Sequence, residues 1–241
     1  MPKLQVRRKI ELEIRPAQSA WVHRMKGMSV ANGSNQDRIR RVVETAEQHF
    51  GQTVERVTAP GGEGRSSFRL HFDDRDVIAT LRPNFRRTHL EAFVLDRLAP
   101  HTSNIPTVLG VVGDVMFQSD VGHRRLNQEI VRHPKAKQLD LAAEAVAGIF
   151  RIHSAARKTD LAQSMPHLGA NEDWIINIVD AVDALQPYSR GISSQFDRAA
   201  VATAMAYPGR QFVKWDCRSG NAALDADNQM NWFDFEYSGL R

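Results

Sequence analysis

Two carboxylates and one amide lie close together in the stretch FVKWDCRSGNAALDADNQMNWFDFE of this 241-residue chain. Asp216 and Asn221 are five positions apart, and Asp234 follows thirteen positions after Asn221. A hairpin with the arms NAALDA and QMNWF would bring Asn221 and Asp234 near each other. Because carboxylate and amide oxygens are hard ligands, this pair predicts a Mg²⁺ site completed by phosphate and water. Asp216 is then free to accept the proton of a hydroxyl group.

A glycine-rich turn and a basic residue lie upstream and complement this set. The turn GGEG contains Gly61, Gly62 and Gly64, and such a backbone can approach phosphate groups closely. The same glycines are equally explained by an ordinary hairpin turn. Arg82 ends the apolar run VIATL and can neutralise phosphate charge.

Glu91 lies nine positions after Arg82, in the segment RTHLEAFVLDRLAP, which has helical periodicity. Its carboxylate can pair with Arg82 and hold the guanidinium in place. Thr88 and Glu91 also have the spacing of a capping box, in which Glu91 would cap the start of the helix instead. The sequence leaves both interpretations open.

The elements that must position these residues form a strand-rich part followed by a helical part. QDRIRRVVETAEQHF has a helical stripe that ends at Gly51, and the stretch from Thr53 to Pro83 predicts three short strands. After the helix that contains Glu91, the segment IPTVLGVVGDVMFQSD predicts further strands. Two parts of this kind imply a cleft between them, where ligands usually bind.

From Gln138 onward, the periodicity is mostly helical until the late hairpin. One stripe is formed by Leu139, Ala142, Val146, Ile149, Phe150 and His153. A second stripe is formed by Trp174, Ile175, Ile178, Val179, Val182 and Leu185, and a third helix is predicted from Gln195 to Ala206. Four acids, Glu172, Asp173, Asp180 and Asp183, either face an acceptor pocket or form the polar face of the second helix.

KWDCRSGN followed by WFDFE resembles the catalytic loop and the metal-binding motif of the aminoglycoside phosphotransferase family. These are small-molecule kinases, and their motifs typically read H-G-D-x-H-x-x-N and I-D-W/F-E. The resemblance runs from about Val54 to the end of the chain. It implies an α+β, protein-kinase-like fold with two lobes. The N-lobe, residues 28–120, has a small antiparallel sheet and one helix. Residues 121–241 form a mostly helical C-lobe, and residues 1–27 are an N-terminal extension of unknown role.

The resemblance also implies an activity, namely transfer of the γ-phosphoryl group of ATP or GTP to a hydroxyl of a small molecule. Asp216 becomes the catalytic base, and Asn221 and Asp234 become the Mg²⁺ ligands. The nucleotide contacts are then Gly61, Gly62, Gly64, Arg82 with its partner Glu91, and the hinge segment Phe117–Val121, in particular Phe117 and Ser119. Positioning and charge neutralisation are what phosphoryl transfer mainly requires.

The chain departs from the family pattern in three places. Lys214 replaces the first histidine of the loop, and Arg218 replaces the second. Arg218 lies two positions from Asp216, where it can contact the transferred phosphate or lower the pKa of the base. Family members normally continue past the DFEYSG segment, whereas this sequence ends at Arg241. The alternative hypothesis is therefore a catalytically impaired, kinase-fold nucleotide-binding module or a truncated remnant.

Charge and composition argue against several other classes of protein. The net charge is +4, but residues 1–27 contain seven basic and two acidic residues, a charge of +5 that leaves −1 for the rest. The body of the chain is therefore not a nucleic-acid binder. No apolar run is long enough to span a membrane. The single cysteine, Cys217, fits a cytoplasmic protein. No G-x-S-x-G sequence is present to favour a serine hydrolase.

Overall fold

A computed structural model describes residues 33–62, 64–168 and 209–240, together with Ala200 and Thr203. The predicted extension 1–27, the second and third helical stripes and the four acids between residues 172 and 183 lie outside the described residues, apart from the two isolated positions. Within the described part of the chain, no helix combines the length and the apolarity that crossing a bilayer would require.

The N-terminal part is built on a five-stranded antiparallel sheet. A helix, α1 (Gly33–Phe50), precedes β1 (Arg56–Thr58), β2 (Ser67–His71) and β3 (Asp76–Leu81). A second helix, α2 (Phe85–Leu98), leads to β4 (Val108–Val112) and β5 (Val115–Ser119). The strands are ordered β1-β2-β3-β5-β4. These bounds confirm the predicted helices and strands of this part of the chain.

The two faces of this sheet differ because side chains alternate along each strand. One face packs against α1 and forms a hydrophobic core, to which β2 contributes Phe68 and Leu70 and β3 contributes Val77 and Ala79. The opposite face therefore carries Arg69, Thr80 and their neighbours, and it borders a cleft. The alternation places the polar positions of β2 and β3 where a ligand can reach them.

The start of α2 differs from the predicted capping box. Asn84 is the N-cap residue, and its side chain accepts a hydrogen bond from the backbone N–H of Arg86. Thr88 lies inside the helix and is fully buried, so it cannot cap the first turn. The capping role proposed for Glu91 is thus wrong, because the helix begins four residues earlier than that box requires.

The C-terminal part contains short strands around one long helix. Its elements are β6 (Arg124–Arg125), α3 (Leu126–Glu129), α4 (Lys135–Ala156), α5 (Leu161–Ser164), β7 (Phe212–Lys214), β8 (Ala222–Leu224), β9 (Met230–Trp232) and β10 (Ser238–Leu240). Strands β6, β8 and β9 form one sheet, and β7 pairs with β10. The predicted hairpin is confirmed as β8–β9. A second hydrophobic core joins α2, α4 and these strands.

Helix α4 is confirmed, but it buries a different face from the predicted one. Leu139, Val146 and Phe150 are exposed, with 59%, 57% and 66% of their surface accessible. The buried residues are Leu141, Ala145, Gly148, Ile152, Ala155 and Ala156. Small side chains allow this face to approach β9 closely, and the indole N–H of Trp232 donates to the carbonyl of Ala145 at 3.0 Å. Hydrophobic periodicity favoured the larger side chains and therefore selected the wrong face.

Candidate active site

A cleft of about 550 Å³ opens between the sheet and the C-terminal part. Strands β2 and β3 contribute one wall, and the end of β5 with the loop that follows it contributes another. Residues 218–221 and 233–236 close the far side. Most of the predicted site residues line this space or border it.

Arg82 is the buried centre of an ionic cluster in this cleft. It directly follows β3, and only 8% of its surface is accessible. Its guanidinium nitrogens lie 2.5 Å from Glu91 Oε2, 3.0 Å from Asp234 Oδ1 and 3.0 Å from Glu236 Oε2. Three carboxylates therefore surround one buried cation, and these four groups carry a charge of −2 when all are ionised. Arg87 lies 3.7 Å from Glu236 Oε2 and offsets part of this charge. This surplus of negative charge suits a divalent cation.

The electrostatics keep Arg82 charged. Burial by itself lowers the pKa of Arg82, but the negative charges of Glu91, Glu236 and Asp234 outweigh burial and raise the pKa. Burial also raises the pKa of Glu236, and the charge of Asp234 adds to that rise while Arg82 opposes it. The cluster thus holds a permanent cation and a carboxylate that is more easily protonated than usual.

Glu91 connects three elements of the site. It projects from α2 and pairs with Arg82 after β3, as one of the two sequence interpretations required. Its other carboxylate oxygen accepts a hydrogen bond of 2.8 Å from the backbone N–H of Phe235. Glu91 therefore positions Arg82 and the segment that carries Asp234 at the same time.

The loop after β7 brings Asp216 and Asn221 together. The side-chain amide of Asn221 donates to Asp216 Oδ2 at 2.9 Å and to the Asp216 carbonyl at 3.2 Å. Arg218 lies 3.2 Å from the same carboxylate oxygen. The backbone N–H of Phe233 donates to the carbonyl of Asn221, which links this loop to the residue before Asp234. Asn221, Arg218 and Asp234 line the cleft, whereas Asp216 is not among its lining residues and reaches it through its contacts with Asn221 and Arg218.

Lys214, which stands where the family motif has its first histidine, holds this loop through its buried side chain. Its side chain is buried, and its ammonium donates to the carbonyl of Asp216 at 2.7 Å. The ammonium also lies over the rings of Trp232 and Phe235, 5.7 and 5.2 Å from their centroids. Burial lowers the pKa of Lys214. Lys214 thus supplies a hydrogen-bond donor to the loop at the position where the family motif has a histidine.

Asp234 has a left-handed backbone conformation, with a φ of +64°. Residues other than glycine seldom adopt this backbone conformation, although aspartate tolerates it better than most. Such strain is often found at functional sites. Here the conformation directs the Asp234 carboxylate towards Arg82 in the cleft.

The glycine-rich turn contributes to the cleft at one end only. Gly61 lines the cleft, together with neighbouring residues of the turn. Gly62 and Gly64 have φ values of +90° and +79°, so the geometry of the hairpin explains why both are glycines. Neither of them is among the residues that line the cleft.

Of the two predicted hinge contacts, Ser119 lies in the cleft and Phe117 does not. Ser119 lines it, and its hydroxyl accepts a hydrogen bond from the backbone N–H of Thr107. Phe117 is fully buried on the other face of the sheet, where its ring stacks on His49 at 5.5 Å. Strand alternation turns Phe117 towards α1, so it cannot contact a base in the cleft, and its neighbour Gln118 lines the cleft instead.

Three residues of the cleft were missed at the level of sequence. Glu236 ends the WFDFE motif, and the glutamate that the family has there was the signal that could have found it. Arg69 forms a pair with Asp120 at 2.5 Å, and Arg125 lies against the loop that carries Asn221. Neither arginine belongs to a recognisable motif, so only the folded chain shows that they share the cleft.

The donor set of the cleft fits the expected magnesium ion. Asn221 and Asp234 present hard oxygen atoms, and Glu236 adds a further carboxylate that lines the same cleft. Among the described residues, no group of three or more His, Cys, Asp or Glu side chains is arranged to hold a metal ion by itself. Magnesium commonly uses one or two protein oxygens together with phosphate and water, which is what this set offers.

Comparison with known proteins identifies the fold. No protein-family model matches the sequence, and no curated protein does. The structure matches a macrolide 2'-phosphotransferase from Brachybacterium faecium with a TM-score of 0.53 and 13% identity, over 83% of this chain and 73% of that one. It matches a spectinomycin phosphotransferase bound to ADP and spectinomycin with a TM-score of 0.53 and 11% identity, over 83% and 69%.

A third match is the choline kinase of Streptococcus pneumoniae, with a TM-score of 0.50 and 12% identity, over 84% of this chain and 70% of that one. These proteins share a kinase-like α+β fold. The resemblance to small-molecule phosphotransferases is therefore confirmed at the level of the fold. Identities this low carry the fold alone, so residue roles must be argued from the site.

Proposed function

We propose that this chain is a small-molecule kinase that transfers the γ-phosphoryl group of ATP or GTP to a hydroxyl of its acceptor. The observation that carries the proposal is the ionic cluster of Arg82 with Glu91, Asp234 and Glu236, opposite the Asp216–Asn221 pair. The cluster offers a buried cation for phosphate and carboxylates for a metal. The pair offers a base that is held in a fixed position.

The residues divide the chemistry between them. Asp216 would accept the proton of the acceptor hydroxyl as that oxygen attacks phosphorus. Asn221 and Asp234 would hold Mg²⁺, which would neutralise charge on the phosphates. Arg82 would donate to phosphate oxygens in place of its present contact with Asp234, while Glu91 keeps the guanidinium in place.

The division of the chain at residue 120 belongs to the same proposal. Residues 28–120 would form an N-lobe and residues 121–241 a C-lobe, with the nucleotide between them. One hydrophobic core lies wholly within the proposed N-lobe, whereas the second joins α2 to the elements of the proposed C-lobe. Loop residues after β5 would then contact the base, with Ser119 rather than Phe117 facing it.

A second candidate function is nucleotide binding without transfer. The observation that favours it is the contact of Arg218 with Asp216 at 3.2 Å, because this ion pair occupies the carboxylate that would have to accept the hydroxyl proton. Nucleotide affinity without ADP release in the presence of any acceptor would support this candidate.

Titration calorimetry with Mg-ATP and Mg-GTP tests the nucleotide site directly. We expect binding to the wild-type protein that is lost with EDTA and weakened by about tenfold or more in Asp234→Asn, because removing one metal ligand typically costs at least that much. Asp73→Asn is the matched control, since Asp73 is exposed in the turn between β2 and β3. Equal binding by Asp234→Asn and wild type would contradict the assigned metal site, and the absence of binding by a folded chain would contradict the proposal.

A further inference from the structure

The cleft carries an excess of arginines outside the ionic cluster of Arg82. Arg82 itself is outnumbered by Glu91, Asp234 and Glu236. Four further arginines, at positions 65, 69, 125 and 218, line the same cleft. Against them stand Asp120, which pairs with Arg69, and Asp216, which pairs with Arg218. These four arginines outnumber the two carboxylates paired with them, so the cleft can attract an anion as well as a cation.

Arg125 is half-buried and lacks a carboxylate partner. It belongs to β6, and among the described residues it pairs with no carboxylate. Its guanidinium donates to the carbonyl of Gly220 at 3.0 Å and lies 5.1 Å from the centroid of the Phe233 ring. Arg69, Arg82 and Arg218 each have a carboxylate partner, and Arg65, which has none among the described residues, is exposed to water. Arg125 therefore differs from the others because it is partly desolvated without a compensating carboxylate.

The surroundings of Arg125 are unfavourable for a cation in the absence of a ligand. Burial lowers its pKa first, and the positive charges of Arg69, Arg218 and Arg65 lower it further, with Asp234 opposing them. A partly desolvated cation among like charges is costly unless an anion compensates it. An arginine in this position therefore indicates a binding role for an anionic group.

The position of Arg125 relates it to the proposed base. Gly220, which Arg125 contacts, lies in the same short loop as Arg218, and Arg218 contacts the Asp216 carboxylate. An anion bound by Arg125 and Arg218 would therefore lie close to the group that accepts the hydroxyl proton.

Building on the proposed function, we propose that Arg125 and Arg218 form a subsite for a phosphate or carboxylate group carried by the acceptor. The acceptor class is then an anionic hydroxy compound, such as a sugar phosphate or a hydroxy acid. Guanidinium groups bind such groups through charge-assisted, often bidentate, hydrogen bonds. A polycationic amino sugar would meet like charges at this subsite, which would disfavour its binding.

The test uses the full chain saturated with Mg²⁺ and a non-hydrolysable ATP analogue, so that the nucleotide's own phosphates are already in place. Glycerol 3-phosphate and glycerol are titrated in by calorimetry as a matched pair of probes. We expect glycerol 3-phosphate to bind and glycerol to give no signal at the same concentration. Arg125→Gln should weaken the binding of glycerol 3-phosphate about tenfold or more, the usual effect of losing a charge-assisted hydrogen bond.

Two further variants complete the design. Arg218→Gln alters an exposed side chain, so this variant should fold even where Arg125→Gln folds poorly. It should also weaken the binding of glycerol 3-phosphate. Arg86→Gln, on the exposed side of α2, should bind like wild type.

Three results would overturn the subsite while leaving the kinase proposal intact: no binding of glycerol 3-phosphate to the nucleotide-loaded protein, equal affinity in both arginine variants, or binding only without nucleotide. The last result would assign the arginines to nucleotide phosphates. Failure of the nucleotide analogue itself to bind would instead contradict the proposed function, and the acceptor assignment with it.

Discussion

Neighbouring side chains hold both the backbone carbonyl and the carboxylate of Asp216. Its carbonyl accepts from Lys214 and Asn221, and its carboxylate accepts from Asn221 and lies beside Arg218. As the proposed base, Asp216 would therefore lose little entropy when the acceptor hydroxyl arrives. Among the described residues, Asp216 forms no ion pair with Arg82 and no hydrogen bond with Asp234, so in the proposed mechanism it would act on the acceptor rather than on the phosphates.

We expect Asp216→Asn to lower kcat by about 100-fold or more while nucleotide affinity stays within about twofold, because only proton transfer is removed. The measurement is ADP release in the presence of an acceptor, together with calorimetry of the Mg-nucleotide complex. Asp73→Asn serves again as the control, because its side chain is exposed and far along the sheet from the loop. An Asp216→Asn enzyme with unchanged kcat would remove this residue from the mechanism.

Glu236 makes the stability of the ligand-free protein depend on pH. Burial raises its pKa above the ordinary value of 4.5, and Asp234 adds to the rise. Between pH 4.5 and the raised pKa, the folded chain binds more protons than the unfolded chain. The free energy of unfolding therefore falls as the pH rises through this window. Glu236→Gln should lack this contribution and give a flatter profile.

Urea unfolding at a series of pH values from about 4.5 to about 7 would measure this difference between the two proteins. Glu44→Gln, which changes an exposed carboxylate on α1, is the matched control and should follow the wild-type profile. A Glu236→Gln profile as steep as that of wild type would show that the Glu236 carboxylate is not the group responsible.

Helix α2 matters to the site because it carries Glu91, and its first turn decides where Glu91 points. Asn84 caps this turn, whereas Thr88 is buried inside the helix and its hydroxyl has no hydrogen-bond partner among the described residues. Asn84→Ala should therefore lower the free energy of unfolding by about 1 kcal/mol. Thr88→Val removes an unsatisfied hydroxyl and should be neutral or stabilising.

Chemical denaturation of both variants distinguishes the two possible starts of this helix. If Thr88 were the cap, the order would be reversed, with Thr88→Val destabilising the protein and Asn84→Ala nearly neutral. The two substitutions lie four positions apart, so each serves as the control for the other.

The sequence predicted the elements well but not the faces that they bury. The hairpin β8–β9 followed from the turn residues between two apolar arms, and the pairing of Arg82 with Glu91 was one of two stated possibilities. The buried face of α4 was missed because its close packing depends on small residues such as Gly148, which hydrophobic periodicity does not select. Arg125 was missed because its contact with Gly220 joins segments 95 positions apart.

Phe117 illustrates the same limit within one strand. The segment that it belongs to does border the cleft, as predicted from the resemblance, yet the side chain points the other way. A family motif fixes which segment lies near a ligand, but a shift of one residue along a strand reverses the face that a side chain occupies. Of the two residues predicted in this segment, Ser119 lines the cleft and Phe117 does not.

The cleft joins two hydrophobic cores, one around α1 and the sheet and the other around α2, α4 and the C-terminal strands. Polar contacts cross between the two parts of the chain, and Arg82 makes two of them, to Asp234 and to Glu236. A nucleotide in the cleft would replace some of these contacts and touch both parts at once. Binding should therefore stabilise the molecule as a whole rather than one of its cores.

At a Mg-nucleotide concentration of about 100 times Kd, the stabilisation should be about 2.7 kcal/mol. For a chain of this size, that corresponds to a rise in Tm of about 5–10 °C. Hydrogen exchange should slow on both sides of the cleft together, in residues 59–66 and in residues 216–221 and 234–236. Asp234→Asn, measured in parallel, should show a smaller rise in Tm and weaker protection at the same nucleotide concentration. Protection confined to one side would place the nucleotide outside the cleft, because a ligand held between Arg82 and the Asp216 loop must restrain both.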